Sequence, residues 1–201
     1  MTEPKTFLEI LQWTPDLARD YLEAIRWPNG PACPSCAGTE IYRIEAKTQR
    51  NGKPQPTRHL LKCKACKRQF TATVGTVFED SHIPLNKWLA AIYLMCASKK
   101  GISAHQIHRM LGVTYKTAWF MCHRVRLAMQ DKSVTPLSGI IEADETYVGG
   151  KPRRREAKYL ECYVDEFSFR FNARKMTDEE RFASALGNVQ GRLAWFFGQA
   201  S

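Results

Sequence analysis

No apolar run in this chain is long enough to cross a bilayer. The longest, residues 88–97 (Trp-Leu-Ala-Ala-Ile-Tyr-Leu-Met-Cys-Ala), is about half of what a membrane-spanning helix needs. The first residues, Met-Thr-Glu-Pro-Lys-Thr-Phe-Leu-Glu, lack an apolar stretch behind a basic start, so no secretory leader is read there. Low-complexity segments and internal repeats are absent. Acidic residues are scarce: 20 Asp+Glu stand against 30 Lys+Arg in 201 residues, a net charge of +10. Between Ala46 and Phe78 there is no acid at all. The same stretch holds eight basic residues, Lys47, Arg50, Lys53, Arg58, Lys62, Lys64, Lys67 and Arg68. A surplus of this size points to a polyanionic partner, of which nucleic acid is the usual one. A hydrophobic fraction of 44% excludes extensive disorder. The expectation is a cytoplasmic protein with no membrane partner, built as one ordinary domain or as two to three small ones.

Seven cysteines are an odd number, and without a leader a disulfide framework is not expected. Their spacing says more. Cys33-Pro-Ser-Cys36 and Cys63-Lys-Ala-Cys66 are two C-x-x-C turns, which together bring four thiolates to the corners of a tetrahedron, the arrangement structural zinc prefers. A redox C-x-x-C would need a βαβ context, and none is present. Strand-like pieces at residues 41–44 and 70–74, with Asn51-Gly52 as a hairpin signal between them, make residues 31–78 a zinc ribbon. All four metal positions are filled by protein, so the zinc is structural. Cys96, Cys122 and Cys162 fall on apolar helical faces and read as small buried hydrophobes.

The ribbon is flanked by helical sequence. Within residues 1–30, Thr14 serves as N-cap, Pro15 as first residue and Asp16 as a first-turn acid, with Leu17, Tyr21, Leu22 and Ile25 on one face. Residues 84–131 carry three helices: one over 85–98, a short one opened by the capping box Ser103-Ala104-His105-Gln106, and a third over about 115–129 with Thr114 as its N-cap. The turn Gly112-Val113-Thr114 between the second and third matches a helix-turn-helix. Ile102, Ile107, Met110, Leu111 and Val113 form its expected core. Thr114, Tyr115, Lys116 and Thr117 would then face base edges, and Arg124 and Arg126 would reach phosphates, with Lys62, Lys64, Lys67 and Arg68 as further contacts from the ribbon. One of Trp119 and Phe120 is expected in the core. His105, His108 and His123 are expected at the surface. A three-helix bundle with a polar turn need not touch DNA; the adjoining ribbon and the charge favour contact.

Residues 138–149 read as one strand and its exit, and residues 151–158 as a charged loop. Leu160, Tyr163, Val164 and Phe167 have helical spacing, and Thr177-Asp178-Glu179-Glu180 is a capping box opening a last helix to about Leu186. Alternation along Glu142-Ala143-Asp144-Glu145 puts Glu142 and Asp144 on one face of the strand. Carboxylates at a strand end can hold a divalent metal, but two-metal phosphoryl transfer needs several converging from different elements.

Arg26-Trp27-Pro28-Asn29-Gly30, both C-x-x-C turns, Gln69-Phe70, Gly75-Thr76-Val77-Phe78, Lys87-Trp88, Lys100-Gly101-Ile102-Ser103, Tyr115-Lys116-Thr117-Ala118-Trp119 and Asp144-Glu145-Thr146-Tyr147-Val148-Gly149-Gly150-Lys151 together resemble the zinc-ribbon DDE transposases of bacterial insertion sequences, the ISXO-type group. The resemblance is nearly continuous to Lys151. It implies that Asp144 is the first catalytic carboxylate of an RNase H-like core. In that family the core binds two Mg²⁺ ions, activates water or a 3′-hydroxyl, and cuts and joins transposon ends.

From Tyr159 to Arg174 the chain resembles the extreme C-terminal segment of the same family. The strand with the second acid and the helix with the third are missing between the two segments. Residues 138–201 are too few for a five-stranded sheet with its helices. Glu156, Glu161, Asp165, Glu166, Asp178, Glu179 and Glu180 are expected on solvated faces. An internal deletion between about Lys151 and Tyr159 follows.

The expected fold is α+β: an N-terminal helix (1–30), a zinc ribbon (31–78), a helix-turn-helix region (84–131) and a truncated RNase H-like remnant of one strand plus C-terminal helices (138–201). The expected function is binding of double-stranded DNA at transposon ends, with cleavage lost, alone or alongside itself or a full-length transposase. A non-enzymatic zinc-ribbon transcription regulator is the alternative, although a regulator has no reason to carry the Asp144–Lys151 motif. A nuclease that borrows carboxylates from a partner chain is a third. Phe167, Phe169, Phe171, Phe182, Leu186, Trp195, Phe196 and Phe197 lack an evident sheet to pack on, and dimerisation or poor solubility is expected of them.

Overall fold

The computed structural model describes residues 6–44, 59–130 and 154–189, with backbone alone for 154–160. The Asn51-Gly52 turn, the strand at 138–149 with Asp144, and Trp195, Phe196 and Phe197 lie outside these residues, as do the side chains of Lys47, Arg50, Lys53, Arg58, Glu156 and Leu160. The elements are α1 (Phe7–Gln12), α2 (Pro15–Arg26), β1 (Ile41–Ile44), β2 (Leu60–Cys63), β3 (Gln69–Phe70), α3 (Leu85–Ala97), α4 (Ala104–Leu111), α5 (Tyr115–Ala128), α6 (Arg154–Asn172) and α7 (Asp178–Gly187).

Local chemistry sets most helix starts. The Thr14 hydroxyl accepts from Leu17 N–H at 3.2 Å with Pro15 at the first position. Ser103 and Gln106 form a reciprocal capping box, as do Thr177 and Glu180. Each such cap is worth about 1 kcal/mol. Gly112, at φ 59, ends α4 in the left-handed conformation that an unbranched backbone adopts without penalty. Two boundaries differ from expectation. A short helix, α1, precedes Thr14, capped by Thr6. Helix α6 begins at Arg154, inside the segment expected as a charged loop.

The sheet is antiparallel in the order β1-β2-β3, with Ile41 opposite Cys63 and Leu61 opposite Phe70. The third strand stops at Phe70 rather than continuing to Val74, because residues 71–76 turn back on themselves through Val74 N–H to Thr71 C=O and Thr76 N–H to Thr73 C=O.

Helix α3 is the centre of the helical body. Ten of its residues, from Leu85 to Cys96, are buried on all sides, the mark of a helix apolar all round. It touches α1, α2, α4, α5 and α7. Phe182, Ala185 and Leu186 of α7 belong to this same core. Among the expected core residues, Leu17 and Met110 are exposed. An exposed apolar side chain beside buried neighbours such as Ala18 and Leu111 is ordinary on a surface helix. No described helix is long and apolar enough to cross a membrane.

Candidate metal centre

The two C-x-x-C turns are built alike. Cys33 N–H donates to Gly38 C=O and Cys63 N–H to Arg68 C=O, each at 3.0 Å. Ala37 and Lys67, each just after the second cysteine, take left-handed φ values of 57 and 63. Sγ of Cys33 lies 3.6 Å from that of Cys66, and Sγ of Cys36 lies 3.6 Å from that of Cys63. All four ligand atoms fall within 4.8 Å of one another. A tetrahedron with Zn–S bonds of about 2.3 Å has edges near ~3.8 Å, so the sulfurs stand where zinc needs them. Gly38 packs against the site: a Cβ there would sit in ordinary contact, 3.4 Å from Cys36 Sγ and 3.5 Å from Cys63 Sγ.

Ionisation of Cys33, Cys36 and Cys63 agrees with a cation site. Burial pushes the Cys33 thiol up, but the N–H groups of Ser35 and Cys36 and the thiols of Cys66 and Cys36 outweigh it and bring it down to about 6. The N–H groups of Cys66 and Ala65 likewise lower Cys63 against its burial. At Cys36 the Gly38 N–H acts downward, yet the three neighbouring thiols together push it up to about 12. Four crowded sulfurs do not all ionise without a cation among them. A divalent metal removes that repulsion, and the donor set of four thiolates suits zinc. Among the described residues no other group could hold a metal. The buried thiols of Cys96, Cys122 and Cys162 are all pushed up by desolvation, as inert core cysteines should be.

The ribbon is tied to the body through α2. Arg43 pairs with Glu23, and Arg26 Nη1 donates to Ala72 C=O at 2.6 Å. Trp27 meets Phe70 edge-on at 6.0 Å. His59 reaches Asp16 at 2.8 Å. Of the basic residues expected to contact DNA here, Lys67 and Arg68 are exposed, the latter donating to Ser35 Oγ at 3.2 Å. Lys64 is exposed and pairs with Glu40 at 3.4 Å. Lys62 is half-buried, with its Nζ 6.0 Å from the Tyr42 ring centre.

At the start of α5, Thr114, Tyr115 and Lys116 are exposed and Thr117 is half-buried. Arg124 and Arg126, read from sequence as phosphate contacts, are turned inside. The Arg124 guanidinium donates to Glu79 C=O at 2.8 Å. Arg126 Nε donates to Glu166 Oε2 at 2.6 Å, with both side chains buried. Glu166 is thereby removed from the solvated face expected of it. His123 is buried too, against the rings of Trp119 and Tyr163, whereas His105 is exposed. Trp119 and Phe120 are both half-buried, so neither is a full core residue. Only the contacts within α5, Trp119 with His123 and Phe120 with the Arg124 guanidinium, carry a sequence signal, their i, i+4 spacing.

Residues 14–69 match the family model described as "Transposase zinc-ribbon domain". The match opens at Thr14, so α2 belongs with the ribbon to which Arg43–Glu23 and Trp27–Phe70 tie it. An archaeal protein of Halobacterium salinarum, described as an uncharacterized protein in transposable element ISH50, is 36% identical over 141 residues. That alignment covers 69% of this chain and 44% of the relative, so the chain spans less than half the length of the curated relative it matches. No solved structure matches. Residues 14–69 are thus a transposase zinc-ribbon domain with a structural zinc site at Cys33, Cys36, Cys63 and Cys66, carried by a chain related to a protein of a transposable element.

Proposed function

We propose that this chain binds double-stranded DNA at the ends of an insertion sequence, using α4 and α5 as a helix-turn-helix beside the zinc ribbon, and that it no longer cuts DNA by itself. The observation that carries the reading is the start of α5. After the left-handed Gly112, Thr114, Tyr115 and Lys116 project from the first turn into solvent, where a recognition helix presents its base-reading residues. Lys64, Lys67 and Arg68 supply phosphate contacts from the ribbon, and α5 takes its bases with Thr117 completing the first turn. The net charge of +10 gives the long-range attraction.

The catalytic part of the proposal rests on Asp144 as the one acid that the resemblance supplies. Two Mg²⁺ ions need further carboxylates, and Glu166, a buried acid on α6, is committed to Arg126 and Arg170. An internal deletion between Lys151 and Tyr159 accounts for the missing segments, and restoring them from a full-length relative should restore cleavage. A chimera that stayed inactive would count against the deletion. As a remnant, the chain would occupy transposon ends and compete there with a full-length transposase.

The test is a mobility shift of zinc-loaded protein on duplex carrying the gene's native flanks, together with nicking of a plasmid bearing them in Mg²⁺ or Mn²⁺. Binding is expected, and Lys116→Glu should weaken it by roughly tenfold through loss of a cation and gain of an anion at the groove. Nicking is not expected. Nicking that disappears in Asp144→Ala would overturn the loss of catalysis. Absence of any shift would overturn the DNA reading.

A further inference from the structure

The first two turns of α5 carry three aromatic side chains, and each is braced by a second group. The His105 ring of α4 stacks on Tyr115, with centroids 4.2 Å apart and planes 22° apart. His123 meets Trp119 edge-on at 4.2 Å. The Arg124 guanidinium stands 5.1 Å from the Phe120 ring centre and is itself held by Glu79 C=O at 2.8 Å and by the Trp88 ring at 5.7 Å. His123 and Arg124 are buried. The half-buried Trp119 and Phe120 rings are therefore oriented from inside the fold, while the exposed Tyr115 ring is braced by the exposed His105. Tyr115, Lys116, Trp119 and Phe120 together line a shallow cleft. Among the described residues that line it, the charged one is a cation, Lys116. A second cleft shares Lys116 and Phe120 and is bordered by Glu79 and Asp80 as well as by Arg124.

A helix that reads an intact major groove does so with guanidinium, amide and hydroxyl groups that reach base edges. Beyond the polar groups of Thr114, Tyr115 and Lys116 in the first turn, the rings of Trp119 and Phe120 offer few such groups. Flat rings with a lysine among them are what proteins use to hold unpaired bases: the base stacks on the ring and the cation meets the backbone. The geometry points to the Tyr115–Trp119–Phe120 cleft as a stacking platform for one or two unpaired nucleobases of DNA, next to a duplex held by α4 and α5. The proposed ligand is a DNA end with a frayed or single-stranded tip. The platform rests on the DNA-binding reading above and names the form of DNA that reading leaves open. The buried His123 and Arg124 then serve to hold rings, not phosphates.

The test uses the full zinc-loaded chain and two labelled duplexes of native flank sequence, one blunt and one with a short unpaired tail, measured by fluorescence anisotropy. Stacking of one base is worth a factor of about 5 to 150 in affinity. The tailed duplex is expected to bind tighter by a factor in that range. Trp119→Leu should bring the ratio of the two affinities close to one, while Trp119→Phe should keep most of it. Trp119 emission, taken as wild type minus Trp119→Phe, should be quenched by the tailed duplex; this readout stands even if Trp119→Leu fails to fold. Equal affinity for blunt and tailed DNA, or tail binding without quenching, would overturn the platform and leave duplex binding intact. Failure of both duplexes to bind would overturn the DNA reading itself.

Discussion

His123 shows how burial decides what a polar residue does. Desolvation, with the Arg126 charge acting the same way, lowers its imidazolium to about 4 from an ordinary value near 6.5. In the folded protein it is therefore neutral at pH 7, and it acts as a flat ring against Trp119 and Tyr163. The unfolded chain takes up a proton as pH falls below about 6.5, whereas the folded chain resists until about 4. Stability is thus full above 6.5 and is lost between 6.5 and 4, at up to about 1.4 kcal/mol per pH unit. Urea denaturation at pH 7 and pH 5 should show this loss, and His123→Phe should flatten it relative to wild type. An unchanged pH dependence in His123→Phe would show that other groups carry it. The residue-level pattern of α5, with His, Arg and Arg at positions 123, 124 and 126, reads as a basic face. Only the neighbours from distant segments reveal that this face is inside.

At the scale of elements, α6 and α7 hold the end of α3 and the turn that follows it. Arg181 Nη1 donates to Cys96 C=O at 2.8 Å, and Arg170 Nη1 donates to Lys99 C=O at 3.1 Å. Both place a cation where the helix dipole is negative. Gly101 sits between them at φ 83; a Cβ there would come within 3.2 Å of Glu166 Oε1 and 3.3 Å of Arg170 Nη2. The Arg126–Glu166 pair ties α5 to α6. Breaking it from one side leaves a buried charge without its partner, which costs about 3–5 kcal/mol. Glu166→Ala should therefore lower the denaturation midpoint sharply. Arg126→Met with Glu166→Leu should recover most of the loss, because an apolar pair of similar volume avoids the desolvation cost. A double variant as unstable as the single one would show that the loss is carried by Arg170, which also pairs with Glu166 at 3.6 Å. The apolar spacing of Tyr163, Val164 and Phe167 was legible as a helix. All three side chains are nonetheless exposed, as is Phe171, while Phe182 and Leu186 found their cover on α3 and not on a sheet.

The whole molecule has two cores of unequal kind. The helical body buries a large apolar set around α3. Among the described residues, the ribbon's own core is Cys33, Leu61, Cys63 and Phe70, and two of these are metal ligands. So little apolar area does not hold a fold by itself, and the metal supplies the difference. Removing zinc with a chelator should abolish the ribbon's amide protection from hydrogen exchange while the protection of α3 and α5 persists. Loss of protection in both would mean one cooperative unit, with Trp27, which packs on both cores, as the coupling. The sequence alone determined the metal site and the helix starts at Thr14, Ser103, Thr114 and Thr177. Each of these depends on atoms only a few residues apart, or on two rigid turns that a cation brings together. Which polar residues face solvent was decided by the tertiary structure. Arg124 meets Glu79 across 45 positions and Arg126 meets Glu166 across 40. Such pairs are set by how α3, α5 and α6 pack, and a helical repeat cannot distinguish a cation that points at DNA from one that points at a buried acid.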